Sequence, residues 1–131
     1  MLIVNRKNQV VIENEFHCHD AFIERFEYDF HSHELTVIFS ESPCSNVKKV
    51  TFKEVFSYVV TGFEPWGHDD SCILSWEHVD SNAADAHWEE IFKRTDALHD
   101  IDLHDLIITK FLISNGDVIR IACHSIIVND L

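Results

Sequence analysis

The sequence predicts a mainly β (α+β) domain: an antiparallel sheet or sandwich of about seven or eight strands with one helix near residues 83–94. Three observations predict it. Aromatic and β-branched residues recur with a two-residue period through 22–29 and again through 35–39. Asn115-Gly116 sits between two β-rich runs, and both residues tolerate the positive φ of a tight hairpin turn. At 131 residues, with only 3 glycines and 2 prolines, the chain has the length of one domain, 1–131, and no composition for linkers.

Taken in order, Val10-Val11-Ile12 reads as a short first strand, paired with Leu2-Ile3-Val4 across a turn at residues 5–8. In the run 21–29, Phe22, Glu24, Phe26 and Tyr28 alternate with Ile23, Arg25 and Glu27, which gives a strand with one buried face. The polar connection Asp29-Phe30-His31-Ser32 leads to a return strand through Leu35, Val37 and Phe39. The segment 47–62 supports two readings. Phe52, Val55, Phe56 and Val59 have helical spacing, and Thr51 with Glu54 could form a capping box. Its density of β-branched and aromatic residues favours a strand.

Residues 62–71 form a loop, and Cys72 to Val79 returns to strand alternation. Asn82 can cap the helix at 83–94, with Asp85 and Glu89 toward its positive end and Trp88, Ile91 and Phe92 facing the core. The closing hairpin joins 106–113 to 118–123. A two-residue loop would set Ile113 opposite Val118 and Phe111 opposite Arg120. Both of its faces are largely apolar, so it belongs inside the sheet rather than at an edge.

Charge narrows the partners. With 10 Lys+Arg against 23 Asp+Glu, the formal net charge is −13. Such a surface repels nucleic-acid phosphates and anionic lipid, and favours a basic protein or a cation. No stretch has the make-up of a signal peptide or a membrane span, and the four cysteines (Cys18, Cys44, Cys72, Cys123) are scattered without a CxxC pair. The expectation is a cytoplasmic protein with reduced thiols.

Ten histidines raise metal binding as an alternative, with His17, His19 and His33 as the candidate ligands and His31 as a weaker one. The two His-x-His pairs fall on neighbouring strands, at opposite ends of them, which opposes convergence on one ion. His68-Asp69-Asp70 and the stretch 99–105 set imidazoles beside carboxylates, but only as adjacency along the chain. No nucleophile elbow, glycine-rich phosphate loop or calcium-loop pattern is present, so neither an enzyme nor a cofactor is expected. From Glu64 to Asp105, twelve acidic residues face only Lys93 and Arg94, and all three tryptophans lie in that stretch. Acidic surface around an aromatic anchor speeds encounter with a basic protein and holds it once bound. Trp66, His68, Asp69, Asp70, Asp100, Asp102 and Asp105 are the expected partner-binding residues. A self-associating domain, dimerising through an edge strand, is the remaining expectation.

The pattern Phe16-His17, then His19-Asp20-Ala21-Phe22-Ile23, Tyr28-Asp29 and Leu35-Thr36-Val37, with Phe52 to Val55 and a closing hairpin, resembles a loosely defined group of small bacterial domains. Many of these are similar to immunity proteins of polymorphic toxin systems. In this chain His17-Cys18-His19-Asp20 carries two residues more than the group's usual His-Asp start. The resemblance implies a β-rich cytoplasmic domain without catalytic residues, and a toxin domain such as a basic nuclease as partner.

Overall fold

The structure, a computed structural model, describes residues 1–16, 19–42, 45–61, 72–79, 105–114 and 116–131. The helix expected at 83–94 lies outside them. Seven strands form one antiparallel sheet: β1 Leu2–Val4, β2 Phe22–Asp29, β3 Glu34–Ser42, β4 Ser45–Thr61, β5 Ile73–His78, β6 Ile107–Ile113 and β7 Val118–Asp130. A short helix, α1 Val11–Glu15, precedes β2. Over the described residues the chain is thus β-rich and built on a single sheet, and the ambiguous segment is a strand as far as Thr61.

The sheet order is β2-β3-β4-β7-β6-β5. The long β7 has β4 along one side. On its other side it has β6 beside residues 118–123 and β1 beside residues 126–128. Sheets twist with a fixed hand, and this one curls until its two edges meet. Ile73 donates to the Ala21 carbonyl at 2.7 Å and accepts from the Asp20 amide at 2.8 Å, so the start of β2 touches the start of β5. Farther along β5, where no strand pairs with its outer edge among the described residues, Glu13 of α1 takes that place. Its carboxylate accepts from the His78 backbone N–H at 2.5 Å and from His78 Nδ1 at 2.6 Å.

The curled interior is the core. Trp76 on β5 stacks on Phe111 of β6 (5.1 Å, 8°) and meets Phe52 of β4 at 6.2 Å and Phe39 of β3 at 6.4 Å. Contact between β3 and β5, which have three strands between them in the sheet order, is possible only because the sheet wraps around. Phe16, following α1, lies against the same indole at 5.4 Å. A smaller apolar cluster, Leu106, Ile108 and Ala122 with Phe56 and Val79, packs on the opposite face. Burial drives the Cys123 thiol well above its ordinary value, which leaves it an inert core group.

Three local expectations are corrected. Val10 to Ile12 is not a strand and does not pair with Leu2–Val4. The Asn5 side chain accepts from the Lys7 and Asn8 amides, and Asn8 answers by accepting from the Asn5 amide. This reciprocal cap turns the chain into a 3-10 turn at Arg6–Asn8 and then α1, which frees Leu2–Val4 to pair with Ile126 to Val128.

The strict alternation along β2 also fails. The register steps between Ile23 and Arg25, so Glu24 is an extra, bulged residue whose carboxylate accepts from Ser40 Oγ at 2.8 Å. Ile23 therefore shares the inner face with Phe26 and Tyr28, opposite Phe39, Val37 and Leu35.

The last hairpin turns on three residues, not two. Ile113 N–H bonds the Asp117 carbonyl, and Gly116 takes a φ of +96°, the left-handed position that closes such a loop. The register moves by one, setting Phe111 opposite Ile119 and Lys110 opposite Arg120. The slip sorts both apolar side chains inward and both cations outward.

Candidate binding site

The turn between β2 and β3 is fixed by one carboxylate. Asp29 Oδ1 accepts from the His31 amide at 2.8 Å and the Ser32 amide at 3.3 Å, and the His33 amide closes on the Asp29 carbonyl at 2.9 Å. An aspartate bonding its own backbone two residues on is the usual device for such a turn. His33 leaves it with a left-handed φ of +56°. The arrangement pushes Phe30 outward until it is 78% exposed.

Phe30 does not stand alone. Its ring meets Tyr28 edge-on at 4.8 Å, and Tyr28 lies 4.8 Å from Tyr58 on β4, so an aromatic row runs from the core surface to the tip. The Tyr28 hydroxyl is also 3.3 Å from His33 Nδ1. Beside this row is an open cleft of about 500 Å³ walled by Tyr28, Phe30 and the carboxylates of Glu27, Asp29 and Glu34. Glu34 is bound to Lys53, and Glu27 lies 3.4 Å from Arg25 with both side chains largely exposed. Exposed pairs of the second kind are worth about 0–1 kcal/mol, so a partner's cation can replace Arg25 at little cost.

The backbone amides of His31 and Ser32 hold the Asp29 carboxyl below its ordinary value of 3.8. The sign follows directly. A depressed carboxylate gives its full stabilisation above the ordinary value and loses it as pH falls through the lower folded value. Amide exchange at His31 and Ser32 is therefore expected to quicken as pH drops through the acid range below 3.8, after correction for intrinsic rates. Asp29→Asn keeps an accepting oxygen but cannot titrate, so the turn should hold while this step disappears. A step of unchanged size in that variant would assign the pH dependence to another group.

Of the residues singled out from sequence, Asp105 is exposed just ahead of β6, whereas Trp66, His68, Asp69, Asp70, Asp100 and Asp102 lie outside the described residues. His17 does too. His19 is exposed, with its Nδ1 3.0 Å from Asp20 Oδ1. His33 is at the other end of β2, about 26 Å away at strand rise, so His19 and His33 do not converge. Among the described residues no group of three or more His, Cys, Asp or Glu is placed to hold a metal ion.

Sequence reasoning passed over Phe30 as part of a polar connection. The available signal was an aspartate two and three residues ahead of amides it could cap, with an aromatic forced outward between them. Compared with known proteins, the chain matches no family model and no curated protein sequence.

Proposed function

We propose that this is a non-enzymatic, cytoplasmic binding domain that recognises a basic protein partner, in the manner of an immunity protein neutralising a toxin domain. The observation that supports this reading is Phe30, an exposed aromatic lying against Tyr28 at the rim of a cleft lined by acidic residues. An aromatic anchor of this kind buries area at small entropic cost, and the surrounding charge steers a cation-rich surface toward it. The chain's net charge of −13 extends that steering over the whole molecule. The acidic stretch Glu64 to Asp105 contributes much of that charge. No helix among the described residues is long and apolar enough to cross a membrane.

The test is association with a basic protein encoded beside this one, measured by calorimetry and stopped-flow at low and high salt. Phe30→Ala should weaken binding at least about tenfold without changing the melting temperature, as expected of a central anchor. Glu27→Lys should instead slow association and flatten its salt dependence. Affinity indifferent to both substitutions would remove the hairpin from the interface.

A further inference from the structure

Two polar atoms enclosed by the curled sheet have no hydrogen-bond partner among the described residues: Nε1 of Trp76 and Oγ1 of Thr109. Trp76 is 3% exposed and Thr109 0%, so neither reaches bulk solvent. Buried groups of this kind are almost always paired, because an unpaired one forfeits its bonds to water and gains nothing in return.

Their positions are related. Trp76 faces Phe111 and His78 faces Thr109 in the β5–β6 ladder, so Trp76 and Thr109 are diagonal neighbours on one face. Diagonal neighbours are about 7–8 Å apart along the backbone, within reach of a large aromatic side chain. His78 is directly opposite Thr109 on that face. Its Nδ1 is already taken by Glu13, which leaves Nε2 as its remaining ring nitrogen.

The three groups are complementary through one intermediary. An indole N–H only donates, a hydroxyl both donates and accepts, and the unprotonated nitrogen of a neutral imidazole accepts. The surrounding space is taken by Phe39, Phe52, Phe111 and Ile121, all essentially fully buried, so the intermediary must be very small. We infer that a single ordered water is built into the core here, accepting from Trp76 Nε1 and bonded to Thr109 Oγ1, with His78 Nε2 as its third partner. Two of these bonds go to groups otherwise unsatisfied, and three bonds in all is the usual coordination of an internal water.

The water continues the link that Glu13 makes to β5, so that α1, β5 and β6 share one polar connection through an apolar interior. The experiment is nuclear magnetic resonance on the wild-type protein, looking for a water cross-peak at the Trp76 indole proton, with Trp76→Phe used only to assign that signal. A cross-peak with the sign of a long-lived bound water is expected. Denaturant titrations of two variants accompany it. Thr109→Val, which keeps the shape and removes the hydroxyl, should raise the unfolding equilibrium constant about tenfold, while Thr109→Ser should stay much nearer wild type. Absence of the cross-peak overturns the inference. So does a Thr109→Val variant as stable as the parent or more so, since removing a hydroxyl with no partner would relieve a cost.

Discussion

Trp76→Ala should lower the unfolding free energy by about 3–5 kcal/mol, the cost of deleting a buried aromatic whose neighbours cannot collapse into the space. The size follows from what the indole touches. Phe16, Phe39, Phe52 and Phe111 meet it from four separate segments, and these contacts hold the curl of the sheet from inside. Urea titration followed by far-ultraviolet dichroism measures the effect. A loss below about 1 kcal/mol, the range of ordinary substitutions, would mean that the sheet holds its curvature without this ring.

The second large effect is expected in a place that looks minor. Ile12 is the only buried residue of the five-residue α1, and it is 0% exposed. A helix this short has no stability of its own in water, so its position depends on that side chain and on the Glu13 bond to β5. Ile12→Ala should therefore cost about 2–5 kcal/mol, and hydrogen exchange should quicken first at the His78 amide. Val10→Ala, two residues away on a side chain 54% exposed, is the control. It should stay within about 0.5 kcal/mol of the parent. Equal effects at the two positions would show that α1 merely rests on the surface.

These expectations show which parts of the fold could be read from the chain. The strand β3 was legible because Leu35, Val37 and Phe39 keep an inward period of two that survives into the structure, whereas β4 and β5 show in their β-branched and aromatic content although their registers shift at Val55/Ser57 and Ile73/Ser75. Each of the corrected expectations traces to one or two residues rather than to the pattern of a whole strand. Glu24 bonding Ser40 bulges β2, Gly116 adds a residue to the last loop, and Asn5 diverts the first hairpin into a helix. Periodicity averages over many residues and cannot register a shift by one. The hairpin cleft was hidden for a related reason. Glu27, Asp29 and Glu34 belong to two strands and a turn, and only the antiparallel register draws their carboxylates to one wall. The acidic excess between Glu64 and Asp105 was plain, but composition carries no geometry. A polar atom without a partner, such as Trp76 Nε1, has no sequence signature at all.

The pairing of Leu2–Val4 with Ile126 to Val128 has a consequence for biosynthesis. The groups that fasten the sheet, residues 2–4, Glu13 and Ala21, leave the ribosome before the strands that receive them. Contacts so distant along the chain form slowly, because the loop entropy is lost before any of them is made. The nascent polypeptide must therefore carry Phe39 and Phe52 unclosed until β6 and β7 have emerged. That interval is when it is most exposed to aggregation and most dependent on chaperones.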